Sequence, residues 1–98
     1  MKVLWSKEAR ANLRAIARFI ARDKRNAAAA WVRRLEDRAE LAGELPFMGR
    51  VVPEFGRRDV REVILRTYRI VYRIAADHIV VVKVVDGRKR LDGVDPDV

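Results

Sequence analysis

The period of the apolar residues changes once along this chain, and that change constrains the fold more than any other feature. Over residues 6–22, Ala9, Leu13, Ile16 and Ile20 recur three and four apart, the spacing of one helical face, with no Gly or Pro between them. Ser6 is a ready N-cap for this helix, and the apolar run Lys2 to Trp5 ahead of it favours a strand. A second helix is predicted over residues 27–43, with Ala28, Trp31, Leu35, Ala39 and Ala42 along one side, Asn26 as its cap, and Gly43 and Pro46 as its stop. The period then drops to two. Residues 60–65, 68–74 and 79–85 are dense in Val, Ile and Tyr and are separated by turn-length gaps, which predicts an antiparallel meander.

A short turn makes the two helices an antiparallel hairpin, and the only layer available to cover its apolar faces is the sheet. The fold class is therefore α+β: a strand, the helix hairpin, then a three-stranded meander, with both helices on one face of a small sheet. Residues 46–59 hold Pro46, Gly49, Pro53 and Gly56 among apolar anchors, which describes an ordered loop. Residues 1–98 read as one domain, and the acidic stretch 91–98, with Asp92, Asp95 and Asp97, reads as a loosely held tail. A domain this small buries a modest core and often leans on a partner.

The net charge is +8, so an anionic partner is expected, either a nucleic acid or an acidic protein segment. There is no cysteine, which excludes disulfides, a thiolate nucleophile and zinc–thiolate clusters. The lone His78, before a strand-like run, lacks a triad's companions and reads as a surface or turn residue. The tail aspartates lack a rigid element and a His or Glu partner, so neither a metal nor any other cofactor is expected. The first residues lack the apolar stretch of a signal peptide, no run suits a membrane span, and a cytoplasmic location is expected.

Alternation along residues 68–74 places Tyr68, Ile70, Tyr72 and Ile74 on the helix-covered face and Arg69, Val71 and Arg73 on the other. The expectation is an exposed basic face, with Arg61 or Arg66 joining according to register. Arg57, Arg58, Arg61, Arg66, Arg69 and Arg73 meet only Asp59 and Glu62 in this stretch, so local pairing does not neutralise them. Arg88, Lys89 and Arg90 after Gly87 form a second basic site. On the first helix Arg10, Arg14, Arg18 and Arg22, four apart, make a like-charged stripe relieved only at its ends by Glu8 and Asp23. It reads as a solvated face that an acidic segment can also use. Trp5, Phe19, Trp31 and Phe47 read as core or helix-edge residues in preference to a base-stacking set.

Taken together, Leu-Pro-Phe-Met-Gly-Arg at 45–50, Val-Arg-Glu at 60–62, Tyr-Arg-Ile-Val-Tyr-Arg at 68–73 and Val-Asp-Gly-Arg-Lys at 85–89 resemble the RelE/ParE superfamily of type II toxin–antitoxin toxins. The resemblance covers nearly the whole chain and is closer to the ParE branch. It implies a cytoplasmic growth inhibitor, associated with plasmid stabilisation, whose cognate antitoxin wraps it with an acidic or amphipathic segment. In the ParE branch the target is DNA gyrase and no catalytic residue is recognised. In the RelE branch the toxin is a metal-independent endoribonuclease acting on mRNA in the ribosome. By position the resemblance gives Arg61, Arg69 and Lys89 as the nuclease set, but residues 91–98 offer no counterpart of the terminal tyrosine or histidine of that branch. The ParE reading is the one adopted, with Arg61, Arg66, Arg69, Arg73, Arg88, Lys89 and Arg90 expected at the target and Arg10, Arg14 and Arg18 at the antitoxin.

Overall fold

A computed structural model describes residues 1–91 and 93–98. It contains β1 (Lys2–Trp5), α1 (Lys7–Asp23), α2 (Ala28–Glu44), β2 (Arg50–Val51), β3 (Val60–Leu65), β4 (Tyr68–Ile74) and β5 (His78–Asp86), with short 3-10 turns at Arg25–Ala27 and Pro46–Met48. The five strands form one sheet in the order β1-β5-β4-β3-β2, in which only the β1–β5 pair is parallel. The expected α+β order and the β3–β4–β5 meander are present. The sheet is larger than the meander because β1 joins one edge and part of the 46–59 loop pairs with the other.

Ser6 caps α1 as expected, its Oγ accepting from Ala9 N at 3.0 Å. Asn26 does not cap α2. The 3-10 turn runs into that helix, with Ala27 N donating to Lys24 O, and leaves no side-chain cap. Gly43 lies inside α2, buried, where the Met1 amine donates to its carbonyl at 2.9 Å, so it marks a contact with the chain start and not the helix stop.

The helix-facing core gathers Ala9 and Leu13 of α1, Leu35, Ala39 and Ala42 of α2, and Val63, Leu65, Ile70, Tyr72, Ile79, Val81 and Val84 of the sheet. Val81 and Val84 are three apart and yet share this face, because the β4–β5 register slips between Val71 and Tyr72. A bulge of this kind moves every later side chain by one position. That is why Val82 and Val85 turn to the opposite side, where strict alternation would have split them.

The opposite face is covered rather than bare. Val52, Val60, Val71, Val82, Val85 and Leu91 form a second buried cluster, with Phe55, Val80 and Val94 packed against it. The lid over it comes from the 52–59 loop and from the acidic tail that the composition marks as loose. Leu91 and Pro96 are buried, Pro96 O accepts from Arg73 Nε at 3.0 Å, and Arg57 grips both Asp97 oxygens at 2.9 Å. Arg57 also grips Asp59, and its guanidinium holds both carboxyls below the usual range. Asp92, part of the same expectation, lies outside the described residues.

Gly49 is a point of close approach. A Cβ there would stand 2.5 Å from Tyr72 Oη and 2.7 Å from Glu62 O, while Tyr72 Oη donates to Pro46 O at 2.6 Å. The 46–51 segment can lie against β3 only because this side chain is missing. Gly49→Ala is expected to destabilise by about 2 kcal/mol, as overpacking against backbone does, and Tyr72→Phe by about 1 kcal/mol for its lost hydrogen bond. Urea titrations followed by circular dichroism check both values.

Candidate functional site

Arg69, expected on an exposed face, is buried and only 6% accessible. Its strand position is the one alternation assigns, but the carboxylates of Glu54 and Glu62 fill the space beyond it. Nε donates to Glu62 Oε1 at 2.5 Å, and Nη1 and Nη2 donate to Glu54 at 2.8 and 2.9 Å. The second Glu62 oxygen accepts from Arg50 Nε at 2.5 Å. Two guanidinium groups and two carboxylates thus balance in charge, and Glu62 has no exposed side-chain surface. Burying Arg69 and Glu62 carries a desolvation cost that their attraction offsets only while their hydrogen bonds are made. The 50–54 segment is bound to β3 and β4 by this requirement.

Glu62 follows Arg61 directly in β3. In the structure they point to opposite faces, and Glu62 serves Arg69 and Arg50. Glu54 went unnoticed because only the loop's path brings it within reach of a strand residue 15 positions later.

The remaining expected site residues fall into separate groups. Arg61 projects toward the 46–49 segment, donating to Gly49 O at 3.0 Å and Arg58 O at 2.9 Å, with its guanidinium 5.1 Å from the Phe47 ring centre. Arg73 is half-buried under Pro96 at the same end of β3 and β4. Arg61, Arg69 and Lys89, the nuclease set, therefore do not converge. His78 begins β5 at this end too, its Nδ1 lying 2.7 Å from Asp77 Oδ1.

Arg66, Arg88, Lys89 and Arg90 do come together, at the other end. Gly87 N donates to Thr67 O, tying the turn after β5 to the β3–β4 turn, and a Cβ on Gly87 would stand 2.8 Å from that same oxygen. All four cationic residues are exposed. Arg66 holds a left-handed backbone with φ 56°, which costs an L-residue roughly 1 kcal/mol. Arg88 clasps Asp86 at 3.1 Å and pulls that carboxyl down to about 2. Beside this turn runs a groove of about 480 Å³ between α1 and β5, lined in part by Asn12, Ile16, Phe19, Tyr68, Lys89 and Arg90.

Phe19 stands at that groove 65% exposed, contrary to the core reading, and Phe47 is also largely exposed. Trp31 packs edge-on to Tyr68 with ring centres 6.1 Å apart, and Trp5 carries Arg10 at 6.0 Å, so the four aromatics occupy separate places and make no stacking platform. The α1 stripe of Arg10, Arg14 and Arg18 is exposed as expected. Its relief by Glu8 is absent because Glu8 is bound to Lys83 Nζ at 2.5 Å, which leaves the stripe more positive than the sequence suggests.

A model of the family described as the ParE toxin of the type II toxin–antitoxin system parDE matches residues 3–91. The chain belongs to that family. Among solved structures, one titled "Chromosomal ParDE TA system from P. aeruginosa" matches with a TM-score of 0.75 at 18% identity, covering 88% of this chain and 95% of that one. A search of curated proteins by sequence returns no match. No helix among the described residues is long and apolar enough to cross a membrane, and no group of His, Cys, Asp or Glu among them could hold a metal ion.

The paired geometry has a signature in pH. Hydrogen bonding to Arg69 lowers the Glu54 carboxyl from 4.5 to about 2. A carboxyl depressed in the fold contributes stability above its unfolded value and loses it as pH falls through the folded one. The stability advantage of the native chain over Glu54→Gln is thus expected in full above about pH 4.5, vanishing towards about pH 2. Urea midpoints of the two proteins across that range measure it.

Proposed function

We propose that this chain is a growth-arresting toxin that inhibits DNA gyrase by binding, without catalysing a reaction of its own, and that a cognate antitoxin neutralises it. The observation that carries the proposal is the full engagement of Arg69. A ribonuclease of the RelE type needs an arginine free to meet charge developing on a phosphorane, together with a general base and acid. Here three guanidinium nitrogens of that arginine bind carboxylates. Arg61 faces away from it, and arginine is in any case a poor base because it stays protonated.

In this reading the target contacts the basic turn of Arg66, Arg88, Lys89 and Arg90, where charge is exposed on two tied segments. Arg61, Arg69 and Arg73 support the fold instead. Acidic residues of the antitoxin meet Arg10, Arg14 and Arg18 on α1, where long-range attraction speeds encounter. Membership of a toxin–antitoxin family and the charge of +8 support such a pairing.

Purified protein is expected to block gyrase supercoiling of plasmid while mRNA stays intact in a translating extract. Cuts in mRNA within ribosomes, with supercoiling unaffected, would replace this reading with the ribonuclease one. A separate outcome is expected for Arg66→Asn. Asn tolerates the left-handed turn, so the variant should melt at or slightly above the native temperature while its growth arrest weakens. Undiminished arrest would remove Arg66 from the target surface.

A further inference from the structure

Large apolar side chains left exposed on this molecule are unevenly spread. Leu41, Leu45, Phe47, Met48, Val51 and Ile64 are all exposed, and they belong to the end of α2, the following 3-10 turn, β2 and β3, which meet along one edge of the sheet. Leu41, Met48 and Ile64 line one concavity there, with Arg38 and Arg50 also in its wall. Clustered exposure of this kind marks a protein interface, because a monomer gains nothing from keeping such area in water.

The edge itself is unfinished. β2 pairs only with Arg61 and Glu62, so on its outer side, away from β4, β3 beyond Glu62 has no strand neighbour among the described residues. The outward carbonyl of Ile64 is met instead by a side chain, Arg38 Nη1 at 2.6 Å. Around the apolar patch the charge is positive where the sheet and loop border it. Arg50 is largely exposed even while bound to Glu62, and Arg58 and Arg61 lie 5.6 and 5.1 Å from the Phe47 ring centre, on its faces.

We infer that this edge is the apolar anchor site for the antitoxin, and that its occupant is an amphipathic segment presenting aliphatic or aromatic side chains flanked by carboxylates. The inference rests on the toxin–antitoxin reading above and adds to it a surface on which the association energy is concentrated. The α1 arginines attract such a segment, but a solvated stripe contributes little holding energy. Buried apolar anchors ringed by polar contacts contribute most. A second copy of this chain is a poorer occupant, because each copy brings a net charge of +8 and the same arginine border.

The test uses the native chain and the purified product of the reading frame adjoining its own, with affinity measured by calorimetry. Leu41→Lys and Met48→Lys, both at exposed positions, should retain native circular dichroism and melting while binding about 30-fold or more weakly, the loss expected of a hot-spot residue. In the native complex, amides of residues 45–51 and 63–65 should gain protection from hydrogen exchange. Binding within twofold of native for both variants, with those amides unprotected, overturns the site and leaves the pairing intact. No complex with the native chain overturns the pairing and the site with it. A homodimer of the native chain in light scattering, dissociated by Leu41→Lys, assigns the edge to self-association and overturns the proposed occupant.

Discussion

Glu62 lies in the second layer of this protein with a guanidinium on each of its oxygens, and most of the molecule's irregular chain is arranged around that fact. A carboxylate without exposed surface is costly to the fold unless its hydrogen-bond partners are held in place. Arg50 reaches it only because Gly49 lets the preceding segment lie against β3. Arg69 reaches it from β4 and in turn fixes Glu54 in the covering loop. The loop, β2 and two strands of the meander therefore form one electrostatically closed unit.

The closed unit separates the arginines into two populations. Those on the second face are neutralised from within the chain: Arg69 by two glutamates, Arg57 by Asp59 and Asp97, with Arg73 held to the tail's backbone. Arginine side chains exposed to solvent lie elsewhere, on α1 and in the tied turns that carry Arg66 and residues 88–90, where Arg88 is itself bound to Asp86. Binding surfaces of this type need no residue with an altered acid–base property, only fixed positive charge and apolar contact. The proposed inhibition, by occupying a target, requires nothing more.

Much of the architecture was legible in the sequence because it follows from periodicity. The helix hairpin, the meander and the helix-facing set Tyr68, Ile70 and Tyr72 all come from spacing alone. What spacing could not reveal was the second layer. Alternation placed Arg69 and Arg73 on the far face correctly, but it says nothing of whether a distant loop and tail return to cover that face. The bulge opposite Val71 and Tyr72 was equally hidden, since the valines on both sides of Lys83 can fill the buried positions of either register. Gly49 and Arg50 were recognisable as a motif, yet their reason, a close approach to Tyr72 and a bond to Glu62, exists only in three dimensions. For the candidate site, the basic turn at Arg88 to Arg90 was visible as charge. Its union with Arg66 depended on the Gly87–Thr67 contact.

The strand arginine of the Tyr-Arg-Ile-Val-Tyr motif is held between two carboxylates, and its contribution is to the fold. The most direct measurement is a double-mutant cycle between Arg69→Met and Glu62→Leu, read by equilibrium urea unfolding. Either single change should cost about 3 kcal/mol, since it leaves a buried charge short of one of its partners, whereas the double change to apolar residues should recover a large part of that loss. Single substitutions within about 0.5 kcal/mol of native stability, with no coupling between them, would contradict the account, because that is how exposed arginines behave.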